Sequence, residues 1–348
     1  MPTNFTHLHL LTSYSLSCST INIDKLIKLA KKNKITTLAI TDHLNVFAAI
    51  KFYQKCIDNN IKPIIGCQIP VKYDDLGRFT PNITILCKNI DGYKSLIKLL
   101  SEIHVQKEKN KIASANISQL RKYNNGLIVL SGGRYGVIGS NLLSDDNTSK
   151  INFVKSLKKI FEDRLYVQID RGNYESEKLY NNKLLMLAEE LDLPIVGTNH
   201  VLFLEKSDFD AHEVRVCINK KIKIDDRGNQ KEFSDEQYFK TEKELIDLFS
   251  DIPDAIENIS EIVKKCNIHI PVGTYHLPVF NTPDKSNVDS YFDIIVEKGL
   301  EEIIKNTKDI NVAEYKDRLK YEIKVIKEMG FVSYFLIVHE FIDWAKKN

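Results

Sequence analysis

Over the first 200 residues, short apolar runs alternate with stretches in which apolar side chains return every three to four positions. The first kind reads as buried strand and the second as helix packed by one face. Phe5–Leu10 reads as a strand. Ile23–Lys32 reads as a helix with Ile23, Leu26, Ile27 and Ala30 inward and Asn22 as its N-cap. Thr36–Thr41 is a short strand, Val46–Asn59 a second helix, Lys62–Ile69 a strand. Another strand, Pro81–Cys87, follows a turn at Asp74–Gly77. Gly92–Ile103 is helical with Leu96, Leu99 and Leu100 inward. Gly126–Leu130, Leu165–Ile169 and Leu193–Gly197 are further strands, separated by helices of which Ser176–Leu191 is the clearest. Strands separated by helices predict parallel pairing, and six or seven such repeats predict an α/β barrel rather than an open sheet.

After Asn219 the pattern changes. Lys220–Glu232 is polar and reads as an exposed loop. Helical patterns follow at Thr241–Phe249 and Pro253–Cys266. The link 271–283, with Pro271, Gly273, Pro278 and Pro283, predicts a domain boundary, giving a first domain of residues 1–270 and a helical segment of residues 284–348. In that segment Ser290–Asn306 and Ala313–Met329 are helices. The latter carries Tyr315, Leu319, Ile323, Ile326 and Met329 on one face and stops at Gly330. Val332–Lys347 is a third helix, unusually aromatic through Tyr334, Phe335, Phe341 and Trp344.

Composition narrows the class. The 348 residues are 43% hydrophobic and 28% charged, which suits a globular chain and excludes a mainly disordered one. A net charge of +2 argues neither for nor against nucleic acid, and no basic stripe or aromatic platform stands out in the sequence. Of the 49 basic residues only 8 are arginine, a coding bias expected of an AT-rich genome. Six scattered cysteines form no CxxC pair. With no signal peptide and no long apolar run, the expectation is a reduced, cytoplasmic protein with no membrane partner.

Four places invite a chemical reading. His7 and His9, two apart on a strand, share a face and can chelate a metal, or one can simply hydrogen-bond at a strand end. Thr41-Asp42-His43 ends the second strand, where barrels place their active face; Asp42 can ligate, act as acid or base, or cap the next helix. Thr198-Asn199-His200 ends the last strand and carries the same alternatives. Ser131-Gly132-Gly133-Arg134-Tyr135-Gly136 is a Gly-rich strand-to-helix turn able to hold an anion on backbone N–H groups, or merely a tight turn. The run Lys107, Glu108, Lys109, Lys111 reads as a solvated linker. His212, among Asp208, Asp210 and Glu213, reads as a satisfied helix histidine.

The segments FTHLHLLTSYSL, LAITDHLNVFAAIKFYQKCIDNNIKPIIGCQI, GLIVLSGGRYGVIGSNLL and PIVGTNHVLFLEKSDFDAHEVRVCI resemble, in that order, the bacterial DNA polymerase III alpha family. EMGFVSYFLIVHEFIDWAKKN resembles the start of that family's palm, so the likeness runs over essentially the whole chain. The LSGGR and SDFDAHE forms are closest to the branch that works with a separate proofreading exonuclease subunit. The resemblance implies a distorted (β/α)7 PHP barrel followed by a small helical segment that begins the polymerase palm. Some relatives hold up to three metals at the strand ends of this barrel and remove nucleotides from a 3′ end.

Carried over position by position, the resemblance retains only part of that metal set. His9 and His43 stand where the family has histidines. Cys18 and His200 replace other ligands and retain a lone pair. Gln68 stands at a bridging glutamate, Asn82 at a histidine, and Leu11, Gly133 and Leu202 offer no donor. A neutral amide does not offset the repulsion of two close dications. The expectation is therefore a degenerate, structural barrel with no catalytic or cofactor-binding residue of its own, and residual Zn2+ or Mn2+ at most. The resemblance places the Mg2+-binding palm aspartates and the sliding-clamp contact outside this chain. It implies the exonuclease subunit and the rest of the replicative holoenzyme as partners, with DNA reached through the full-length protein. The alternative is a stand-alone PHP-type metal-dependent phosphoesterase or 3′–5′ exonuclease, which an intact ligand set would have favoured.

Overall fold

The computed structural model describes residues 5–16, 18–76, 80–107, 109, 111–137, 148–173, 177–224, 232–273, 277–283, 285–308 and 310–348. The chain divides into two compact units, Met1–Ile270 and Pro271–Asn348.

The first unit wraps helices around one mixed sheet. Its elements are α1 (Ile23–Lys32), β1 (Thr37–Ile40), α2 (Ala49–Ile57), β2 (Lys62–Lys72), β3 (Asn82–Cys87), α3 (Ile90–Val105), β4 (Ala115–Asn116) and α4 (Ile117–Lys122). Then come β5 (Leu127–Leu130), α5 (Thr148–Phe161), β6 (Leu165–Asp170), α6 (Glu177–Glu190), β7 (Ile195–Thr198), α7 (Phe209–Lys220), α8 (Glu242–Leu248) and α9 (Pro253–Lys265). The strand order is β1-β2-β3-β5-β6-β7, with β4 against the end of β2.

The all-parallel expectation is corrected at β3, which runs antiparallel to both β2 and β5. The link 73–81 that joins β2 to β3 is too short to carry a crossover helix, so the chain can only turn back on itself. This reversal has a positional consequence. The first residue of β3, Asn82, stands at the edge where the other strands end.

Phe5–Leu10 is also corrected: it forms no regular strand, only a bridge from Leu10 to Val201. The segment is nevertheless what closes the curled sheet. Thr41 N donates to Leu10 O at 2.7 Å on the β1 side. Leu11 N to Val201 O and Val201 N to His9 O, both 3.1 Å, tie the other side beyond β7. A regular ladder is broken because Leu10 N turns to the Thr41 hydroxyl at 3.1 Å instead of a strand carbonyl.

Local chemistry explains the helix starts. Asn22 accepts from Asp24 N at 2.9 Å, as its type predicts for an N-cap. Asn116 and Gln119 cap α4 reciprocally, and Thr241 with Glu244 does the same for α8. α2 starts only at Ala49, because residues 46–48 form a turn. Ser176, Gly77 and most of the polar stretch 220–232, residues 225–231, lie outside the described residues.

The second unit holds α10 (Val288–Asn306), α11 (Val312–Glu328) and α12 (Val332–Lys347). Its core is small: Phe292, Val332 and Leu336, with Ile323 and Ile326 packed on them. Tyr315 and Met329, expected inward on α11, are 46% and 61% exposed. Three helices leave too little opposing surface to cover a whole face.

Candidate functional site

The edge of the sheet where β1, β2, β5, β6 and β7 end, and where β3 begins, gathers most of the residues singled out in the sequence. His9, on the closing segment, is fully buried there. Gln168 Nε2 donates to His9 Nδ1 and to Asp170 Oδ1, both at 3.0 Å. Gln68 spans the other side, with Nε2 placed 3.2 Å from His9 Nε2 and Oε1 3.1 Å from His43 Nδ1. Burial holds His9 down to about 3 and also lowers His43, so both imidazoles are neutral near pH 7. A neutral His9 that accepts at Nδ1 must donate at Nε2. The Gln68 carboxamide therefore presents its oxygen to His9 and its NH2 to His43, a half-turn that leaves its shape unchanged. Both nitrogens of His9 are then committed to amides.

Asp170, at the end of β6, is the anionic centre of this network and was not singled out in the sequence; neither was Gln168. Besides Gln168, it accepts from the Thr198 hydroxyl at Oδ1 and from Arg134 N at 3.0 Å on Oδ2. The Gly-rich turn thus does hold an anion on a backbone N–H, and that anion is the chain's own carboxylate. Gly133 has φ +53, and a Cβ built there would lie 1.7 Å from Asp170 Oδ2. The position at which the resemblance expects a metal-binding side chain is filled by Asp170. The rule that drew attention to Asp42 and His200, a polar residue where a strand ends, would have found Asp170 as well.

His200 stacks on His9 with ring centroids 4.2 Å apart and planes 14° from parallel. Burial, and then the His9 imidazole, push its pKa well below the ordinary histidine value. Gln237 Nε2 lies 3.3 Å from its Nδ1. His7 is parted from His9: its Nε2 lies 2.9 Å from Lys240 O and its ring packs on Phe239 at 4.5 Å. The shared-face reading of these two histidines fails because the segment is not a regular strand.

Asp42 neither caps α2 nor joins His9. It accepts from Thr12 N at 2.6 Å, the Thr12 hydroxyl at 2.8 Å and the Ser15 hydroxyl at 2.5 Å, clamping the loop after the closing segment. Burial raises its pKa against these bonds. His212 is a satisfied helix histidine, its Nε2 3.0 Å from Cys18 O. Asn82 lines an open cleft with His43, Lys72 and Gln106. Lys107 and Lys111 line it too, so this run is partly cleft wall; Glu108 lies outside the described residues.

Three positions assigned to metal by resemblance have a common fate. Leu11 and Leu202 are buried with Phe203 and Phe209 in one apolar cluster, and Cys18 packs against it. Burial pushes the Cys18 thiol up, away from the thiolate a metal needs. Among the described residues no three His, Cys, Asp or Glu side chains come together as a metal-holding group. A polynuclear metal centre does not fit this donor set: an apolar cluster, a neutral bridging amide, and a carboxylate already bound by the chain.

Residues 7–172, which supply most of this curled mixed sheet and the polar cluster at its strand ends, match the PHP domain model. Residues 290–348 match the Bacterial DNA polymerase III alpha NTPase domain.

Over its whole length the chain is related to the DNA polymerase III alpha subunits. It is 36% identical over 356 residues to that of Pseudomonas fluorescens. With that of Escherichia coli K12 it shares 37% over 350 residues, and with that of Buchnera aphidicola 38% over 349. The match takes in 99–100% of this chain and 30% of each relative, so the chain spans under a third of their length. Among solved structures, an amidohydrolase from Chromobacterium violaceum is 12% identical with a TM-score of 0.39, covering 56% of this chain and 86% of that one. Among the described residues no helix is long and apolar enough to cross a membrane.

Proposed function

We propose that this chain is the PHP barrel and first palm helices of a replicative DNA polymerase alpha subunit, in which the barrel is a metal-free scaffold that docks a proofreading exonuclease subunit. The observation that carries the scaffold reading is the packing of Leu11, Cys18 and Leu202 with Phe203 and Phe209 where metal ligands would be needed. Returning that cluster to a ligand set would expose apolar surface and bury charge, each costly. What remains, the His9–Gln68–His43 and His9–Gln168–Asp170 bonds, is suited to holding the closing segment against the strand ends.

In this reading the polymerase aspartates and their Mg2+ ions belong to the part of the relatives' length that this chain does not span, as does the clamp contact. The protein works in the cytoplasm, on DNA, within the holoenzyme. The rival is a metal-dependent phosphoesterase or 3′–5′ exonuclease on the same barrel. One preparation tests both. Elemental analysis of chelator-free protein should find less than one equivalent of zinc or manganese, and a 3′-labelled strand should stay intact. Two or more equivalents, or a nuclease lost on His43→Ala, would establish the rival. A proofreading subunit should co-purify with residues 1–270; binding that needs residues 271–348 would refute the docking assignment.

A further inference from the structure

Contrary to the expectation that no basic stripe stands out, the overall charge of +2 conceals a concentrated basic face. From Ile21 to Asn60 stand seven lysines, all exposed, against three aspartates, one of them the buried Asp42. Five of the seven, Lys25, Lys28, Lys31, Lys32 and Lys34, fall on α1 or just after it, with no acidic residue between them. Lys25, Lys28 and Lys32 follow the spacing of one helix face, about 10 Å end to end at 1.5 Å per residue. The other two, Lys51 and Lys55, stand on α2. Both reach Asp24 of α1, at 3.3 and 3.0 Å, which sets the two helices' outer surfaces side by side. One carboxylate is shared by two ammonium groups there, so the face keeps a strong positive excess.

We infer that this α1–α2 face is a contact surface for the phosphate backbone of duplex DNA. Two features favour phosphates over an acidic protein. α1, which carries the row Lys25, Lys28 and Lys32, exposes no aliphatic or aromatic side chain: Ile23, Leu26, Ile27 and Ala30 are buried and Leu29 is half-buried, and the exposed aliphatic residues Ile50 and Ile57 belong to α2. Protein interfaces need apolar anchors and are depleted in lysine, whereas backbone contact with DNA needs little more than ammonium groups at phosphate spacing. A single strand is the poorer fit, since its binding surfaces stack successive bases on several exposed aromatics, and Phe52 and Tyr53 of α2 are both buried, with Phe47 just before α2 the exposed ring. The contact is independent of sequence and steeply dependent on salt. It is a use of the barrel separate from the strand-end site, and only its biological setting rests on the polymerase reading.

The test is anisotropy of a labelled 20-bp duplex with the full 348-residue chain from 50 to 200 mM NaCl. Each phosphate contact adds about 0.9 to the slope of log affinity against log salt, so K25Q/K28Q/K32Q should flatten that slope by about three and weaken binding on the order of tenfold. K94Q/K98Q/K155Q removes the same charge from exposed lysines of α3 and α5 and should leave both nearly unchanged. Equal loss in the two triple variants, no binding at 50 mM NaCl, or equal competition by poly-L-glutamate would each overturn the inference. These outcomes leave the metal and co-purification tests of the scaffold reading untouched.

Discussion

Lowering the pH from 7.5 to 5 should strip the barrel of a large part of its stability. His7 and His9 are buried on the segment that closes the sheet, and burial holds them at about 4 and about 3. Unfolded, each returns to an ordinary value near 6.5. The folded pKa is the lower one, so below pH 6.5 the unfolded chain takes up protons that the folded chain refuses. Stability is therefore complete above about pH 7 and falls as the pH drops, until the folded values are reached. At pH 5 each histidine costs about 1.5 pH units at 1.36 kcal/mol, or ~2 kcal/mol, so the pair removes ~4 kcal/mol. This sum does not depend on how far below 5 the folded values lie. His200, also held well below the ordinary value, acts in the same direction. Asp42, whose pKa burial raises, opposes them. Against a usual total of about 5–15 kcal/mol the loss is severe. Urea unfolding followed by far-UV circular dichroism measures it. Tryptophan emission does not, because Trp344 stands in α12, outside the barrel unit. A change below about 1 kcal/mol between the two pH values would show that the buried imidazoles find charge partners or water on protonation, and the reasoning would be refuted.

Gly133→Ala should destabilise the barrel by about 3 kcal/mol, from the left-handed backbone and from displacing the buried Asp170 carboxylate; a urea midpoint like that of the parent would show that Asp170 yields at little cost. The full chain should self-associate through α12, where Phe341 and Trp344 are 69% and 67% exposed, whereas residues 1–283 should stay monomeric and melt at the same temperature. Light scattering and thermal melts check this, and a melt several degrees lower for the shorter chain would assign the C-terminal helices to the barrel's own fold.

Much of this protein is legible in one dimension. The limits of α1 and α12, the N-cap at Asn22 and the inward faces of α1 and α3 follow from side-chain period and local hydrogen-bonding chemistry, which neighbours in sequence determine. The resemblance to the polymerase family was equally open, because long motifs survive in order. The direction of β3, the irregular path of residues 5–12 and the parting of His7 from His9 were decided by tertiary structure. The last two depend on partners far along the chain, Val201 and Lys240, whereas β3 turns back because the link 73–81 is too short for a crossover helix and then pairs with β5. The strand-end cluster shows the same division. That Leu11 and Leu202 offer no lone pair is plain from their identity. That they and Cys18 join one apolar cluster, that Gln168 holds His9, and that Asp170 occupies the space above Gly133 are facts of assembly. No local pattern encodes them, because burial and hydrogen-bond partnership across a barrel arise only when its strands have closed around them.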